Sequence, residues 1–316
     1  MKKLFGTDGI RGEAGKFPLD AATVYVIGRS LATRLAERKG SAAKIVVGRD
    51  TRESGGWIEA ALISGAREAG AEIESAGVIT TPGVAFLART LPTAAGIVIS
   101  ASHNPFQDNG IKVFEASGRK LDDATERLIE SDIQDSIKNS ETPARGGEAK
   151  PDDSDRSEEL RTQYIKFLTD EIGHDLSLAN LKIVVDCANG AASEIAPEVF
   201  RRLGANPIAF NNTPDGRNIN LNAGSLHIES LQERVVAEGS DLGVAFDGDA
   251  DRALFVDATG KFVDGDATLW VLANYLKARG ELSGDKVVAT VMSNIGLEIA
   301  LRSQGINLVR TDVGDK

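Results

Sequence analysis

Apolar and polar positions along the chain alternate in a recurring order. Short β-branched runs (Ile45-Val46-Val47, Ile97-Val98-Ile99, Ile183-Val184-Val185, Val287-Val288) read as buried strands. Between them lie stretches with helical spacing, opened by capping residues and closed by glycine. Residues 20–39 form such a stretch, with Asp20 as the N-cap and Gly40 as the stop. Further helices are expected up to about Ala69, after residues 80–83, and over 121–137 and 157–172. Strands are expected over 71–79, 111–114, 206–210, 242–246 and 306–310. Residues 3–12 carry three glycines in a short polar run and read as a flexible loop that could bring Arg11 to an anion.

The pattern repeats. A strand, a glycine-bearing turn, a helix ending at glycine and a second strand open at Lys44, again at Lys182 and again at Lys286. Three similar α/β domains follow from this. The run 139–156, rich in Gly, Pro, Ser, Asp and Glu, reads as a linker. The expected domains are 1–150, 151–253 and 254–316. Repeat logic puts the third unit's polar loop past Lys316, so the third domain is expected to be cut short.

Composition narrows the class. The 316 residues are 41% apolar and 26% charged, with a formal net charge of −11. Packed cores are therefore affordable, and nucleic acid or an anionic membrane is not the expected partner. Cys187 is the single cysteine, which fits a reducing compartment. No signal-peptide core and no membrane-length apolar run is found, so a cytoplasmic globular protein is expected.

Two loops carry the chemistry. The buried strand 97–99 runs into Ser100-Ala-Ser-His-Asn-Pro105, and a second short strand leaves through Lys112. Polar loops at the mouth of buried strands are where α/β proteins place function. No Gly-x-Ser-x-Gly elbow surrounds Ser102, and a serine and its neighbouring histidine seldom meet as nucleophile and base. A phosphoryl group carried on Ser102 fits better, and it needs a divalent metal or cations to hold it. The second unit supplies such a place where the apolar strand 242–246 runs into Asp247-Gly-Asp-Ala-Asp-Arg252. Three carboxylates at alternate positions repel one another unless they converge on a hard cation such as Mg²⁺. The run is not an EF-hand, because Arg252 and Ala258 stand where that loop needs Gly and Glu. Asp264-Gly-Asp266 reads instead as a helix start. Residues 216–224 form a polar connecting loop without an assignable role.

Together, Phe5-Gly-Thr-Asp-Gly-Ile-Arg-Gly12, the Ser100–Pro105 segment with Asp108-Asn-Gly-Ile-Lys112, and the Asp247–Arg252 run resemble the α-D-phosphohexomutases, in order and along the whole chain. The resemblance implies repeated α/β domains with mixed sheets sandwiched by helices, around a cleft. It implies that Ser102 carries the transferred phosphoryl group. Asp247, Asp249 and Asp251 would hold Mg²⁺ with an oxygen of that phosphoserine. Lys112 and Arg11 would transfer protons and neutralise charge, and His103, Asn104, Arg49, Arg52 and Arg252 would line the same anionic centre. The reaction would pass through a hexosamine or hexose bisphosphate, which also activates Ser102. By the same resemblance the substrate is a small phosphosugar, with a homodimer as one assembly open to the chain. The opening motif so near the N-terminus resembles the members that act on glucosamine phosphate and feed UDP-N-acetylglucosamine to the cell wall. Mannose or glucose phosphate is the alternative. Ala250 departs from the family's usual Gly, and the family's sugar-reading loop and fourth domain fall beyond Lys316, so an inactive or partial fragment is expected. Two rivals remain: a haloacid-dehalogenase-type phosphatase built on Asp247, whose signature Asp251 does not match, and a metal-dependent phosphosugar-binding module without turnover.

Overall fold

The computed structural model of the protein describes residues 3–6, 8–139 and 156–314. The first unit runs β1 (Phe5–Gly6), β2 (Gly9–Glu13), α1 (Ala21–Lys39), β3 (Lys44–Arg49), α2 (Gly55–Glu68), β4 (Glu72–Val78), α3 (Thr81–Thr90), β5 (Ala95–Ile99), β6 (Asp108–Glu115) and α4 (Asp123–Lys138). Helix α1 starts where the Asp20 carboxylate accepts from the Thr23 N–H. It stops at Gly40, whose φ of 68° lets its N–H turn back to the Ala36 carbonyl. The six strands are ordered β1-β2-β6-β5-β3-β4, with β3 parallel to β4 and β5 and the other pairs antiparallel.

The N-terminal segment is not the flexible loop its glycines suggest. It is a hairpin, and β2 pairs with β6 in the register Ile10↔Ile111 and Arg11↔Gly110. Phe5 and Ile10 are buried in the core. Glycine serves close approach here: at Gly9, φ is +82° and a Cβ would meet the Ile111 carbonyl oxygen at 2.2 Å.

The second unit begins with α5 (Ser157–Lys166), which runs into a π-helical stretch (Phe167–Ile172). Next come β7 (Lys182–Asp186), α6 (Ala192–Arg202), β8 (Asn206–Phe210), α7 (Glu229–Glu238), β9 (Leu242–Phe246), β10 (Ala253–Asp257) and β11 (Phe262–Val263). Their order, β11-β10-β9-β7-β8, repeats that of β2-β6-β5-β3-β4. The strand taken from the N-terminus in the first sheet comes from the C-terminal side in the second. The second sheet thus continues through residue 263, β10 pairing antiparallel with β9 and β11 with β10, past the boundary expected at 253.

In the third unit, α8 (Gly265–Ala278) starts on an Asp264 cap, as expected for that motif. It is followed by β12 (Lys286–Thr290), α9 (Ile295–Ser303) and β13 (Asn307–Thr311), with β12 parallel to β13. Each of the three copies therefore opens with the same parallel βαβ step. The expected linker lies outside the described residues except for its ends, Asn139 and Arg156.

Alternation along the strands divides the first core in two. Ile45, Val47, Ile97 and Ile99 face the side of α1, α2 and α4, while Val46 and Val98 face the other side. That second face is closed by α3 together with α5, through Leu160, Tyr164 and Ile165, and by Ile195 of α6. The helix that the sequence assigns to the second unit thus covers the first unit's sheet. The parallel strands β3 and β5 are buried on both faces, but periodicity does not say which helix does the covering.

Candidate active site

Strands β3 and β5 of the first sheet and β9 of the second end facing the same space. Chemistry belongs there, because the loops at the carboxyl ends of parallel strands are freed from the ladder. Beyond β5, Ser102 takes φ +54° and is almost wholly buried. Its N–H is held by the Ser100 hydroxyl at 2.9 Å. Its Oγ donates to Asp247 Oδ2 at 2.6 Å and lies 3.3 Å from His103 Nδ1. The two loops that the sequence singles out, 145 residues apart, meet at this hydroxyl.

Asp247, Asp249 and Asp251 each present a carboxylate oxygen, all within 4.8 Å of one another. Burial, then the charge of Asp249, pushes Asp247 up to about 7. Burial and Asp249 also raise Asp251. Burial acts against ionised Asp249 as well, but Lys112 and the Thr81 hydroxyl outweigh it and hold this carboxyl below its ordinary range. Asp249 Oδ2 accepts from Lys112 Nζ at 2.8 Å and from Thr81 Oγ1 at 2.6 Å. Its Oδ1 is buried with no hydrogen-bond partner. Three hard oxygen donors within 4.8 Å of one another, crowded enough that burial and mutual charge raise Asp247 and Asp251, and one of them with a buried unsatisfied oxygen, fit a divalent cation.

The structure gathers cations at the same place. Lys112 is buried with Asp249, lies 3.0 Å from Asp8 and is 3.6 Å from Asp251. Burial opposes its charge, but the carboxylates outweigh burial and hold the ammonium above its usual pKa. Lys112 is therefore a fixed positive charge. His103 is shifted the other way, by burial and by the nearby Arg252 and Arg11, so its imidazole is neutral near pH 7. Arg11 pairs with Asp8. With Lys3, Asp251 and Arg252, these two line an open cavity of about 570 Å³.

Two arginines expected at the anionic centre have other partners. Arg49 Nε donates to Glu59 at 2.9 Å inside the first unit. Arg52 is fully buried beneath the loop: Nε bonds Asp50 at 2.9 Å, Nη1 donates to the Pro105 carbonyl, and Nη2 donates to the carbonyls of Ser102 and Asn104. Its donors shape the loop. Asn104 likewise donates from its side chain to Asp108. Sequence reasoning missed Asp8, Asp50 and Thr81. Asp8 stands in the quoted N-terminal motif but is revealed only by its pairing with Lys112 and Lys120. Asp50 accepts from Ser100 at 2.6 Å, a contact without a local signal in the chain.

A repeated, helix-covered α/β protein with a serine hydroxyl against a carboxylate trio and buried cations is built for phosphoryl transfer. The family "Phosphoglucomutase/phosphomannomutase, alpha/beta/alpha" matches in three parts: domain I over residues 2–140, domain II over 162–260 and domain III over 264–316. The chain belongs to this family of phosphosugar mutases, which are isomerases. It is 50% identical to a phosphoglucosamine mutase of Solibacter usitatus, over 100% of this chain and 69% of that one. It is 49% identical to another of Koribacter versatilis, covering 100% and 68%. Among solved structures, a phosphoglucomutase/phosphomannomutase family protein from Burkholderia thailandensis superposes with a TM-score of 0.80. Its identity is 28%, over 99% of this chain and 67% of that chain. Family membership removes the dehalogenase-type phosphatase. No helix of the described residues is long and apolar enough to cross a membrane.

Proposed function

We propose that this mutase interconverts glucosamine 6-phosphate and glucosamine 1-phosphate, using a phosphoryl group carried on Ser102 and a glucosamine bisphosphate intermediate. Half-identity to two phosphoglucosamine mutases supports the choice of sugar. The observation that carries the mechanism is the Ser102 hydroxyl, buried at the end of β5 and 2.6 Å from Asp247 in the carboxylate trio. Mg²⁺ held by Asp247, Asp249 and Asp251, with the phosphoserine, would supply charge neutralisation on the transferred group. The residues do the rest. When the bisphosphate returns a phosphoryl group, the P–O bond to the sugar oxygen breaks and the P–Oγ bond of Ser102 forms. Ser102 gives up its proton to the neutral His103 imidazole 3.3 Å away, and the sugar oxygen takes one from Lys112, so the count balances. Lys112, charged beside Asp249, Asp8 and Asp251, offsets phosphate charge and is the candidate for proton transfer to the sugar oxygen. Arg11 and Arg252, on the open cavity, face the bound phosphosugar, with neutral His103 beside Ser102. Arg52 and Asn104 act through the shape of the loop, and Arg49 stiffens the strand end beneath it. The domain limits 1–150, 151–253 and 254–316 belong to the same reading, with the second boundary moved to 263 so that β10 and β11 stay with the sheet they complete.

Phosphopeptide mass analysis tests it. After incubation with glucosamine 1,6-bisphosphate and Mg²⁺, the peptide holding Ser102 gains one phosphate, and neither Ser102→Ala nor Asp249→Ala does. Label that persists on Ser102→Ala would remove the serine from the mechanism. Faster exchange with mannose or glucose bisphosphate would shift the substrate to those sugars.

A further inference from the structure

The polar loop 216–224 has no evident chemistry in the sequence, yet it reaches the reacting serine. Asn220, buried and at φ +59°, is anchored by its own N–H on the Ala188 carbonyl at 2.9 Å. Its side-chain Nδ2 donates to the Ser102 carbonyl at 2.9 Å and to the Asn104 carbonyl at 3.1 Å. Arg52 Nη2 grips the same two carbonyls, each at 2.9 Å. One clamp arm belongs to the first unit and the other to the second. Between them, Gly248 leaves the space: a Cβ there would lie 2.7 Å from the Ser102 carbonyl oxygen and 3.0 Å from Asn220 Nδ2.

Ser102 follows β5 and has left the ladder, so side chains fix both its backbone polar groups. Ser100 takes the N–H, and Arg52 with Asn220 takes the carbonyl. Its φ of +54° is costly for a residue with a Cβ and persists only where the surroundings impose it. Orientation of that peptide decides where Oγ points. The carboxylates it must meet belong to the second unit, as does Asn220. We infer that Asn220 is a positioning residue for phosphoryl transfer: its amide ties the carbonyl of Ser102 to the unit that carries Asp247, Asp249 and Asp251, and so sets the reacting oxygen against them. This rests on the reading of Ser102 as phosphoryl acceptor.

Three variants test it. Asn220→Gly keeps the positive φ accessible and removes the donor. Asn220→Asp keeps the shape and removes the donor. Thr51→Val deletes a different bond between the units, the 2.6 Å contact from Thr51 Oγ1 to the Asn189 carbonyl. Phosphate uptake on Ser102 is followed in time across a range of glucosamine 1,6-bisphosphate concentrations with Mg²⁺, alongside thermal unfolding. Both Asn220 variants should slow the saturated rate by about tenfold or more, as misplaced reacting atoms do, and leave the half-saturating concentration within about twofold. Thr51→Val should keep the wild-type saturated rate whatever its melting temperature. Wild-type rates in both Asn220 variants would overturn the inference alone, as would equal slowing in Thr51→Val. No phosphate on wild-type Ser102 would overturn the acceptor reading and the inference with it.

Discussion

Ala250 sits in the middle of the acidic run with φ +54°. A left-handed backbone costs a residue with a Cβ roughly 1–2 kcal/mol, and the glycine alternative costs about 0.5–1 kcal/mol in lost chain entropy. Ala250→Gly should therefore stabilise the protein by about 0.5–1 kcal/mol in urea unfolding, with Mg²⁺ affinity unchanged. A loss of stability would mean that its methyl, packed against the core around Ile183 and Val185, contributes more than the strain takes away. The arginines illustrate what a residue type alone leaves open. Arg49, Arg52 and Arg252 all stand in polar loops or strand ends near the reacting groups, and a guanidinium serves a phosphate or a row of carbonyls equally well. Only the fold shows that Arg52 has turned inward to the loop and that Arg252 has stayed on the cavity.

Among the elements, the two reactive loops were legible because each follows a short apolar strand with a run of small polar residues, and the structure brings both to one point. The N-terminal hairpin was not. Two short strands rich in glycine have little local preference, and their order comes from pairing with β6, about a hundred residues on. The acidic loop carries a prediction of its own. Millimolar Mg²⁺ should raise the melting temperature of the wild type, since a ligand bound only to the native state adds stability. That rise should vanish in Asp249→Ala, which deletes the buried carboxylate oxygen left without a partner. An equal rise in the variant would place the ion elsewhere.

In the whole molecule, the first two units share a core. Helix α5 lies on the β3–β4–β5 face of the first sheet, packing Leu160, Tyr164 and Ile165 against Val46, Ala76 and Val98. The strand–helix–strand rhythm announced the repeat and the sheets, but not this exchange. An amphipathic helix shows that it covers something, and its partner lies in long-range packing that no local pattern encodes. The arrangement governs when the protein can become itself during synthesis. As the chain leaves the ribosome, all six strands of the first sheet are out by Glu115, yet one of their faces stays partly open to water until Lys166 has followed. Stalled nascent chains should thus turn protease-resistant only once α5 has cleared the exit tunnel. Resistance already present once the chain up to Asn139 has cleared the tunnel would show that α3 closes that face without α5.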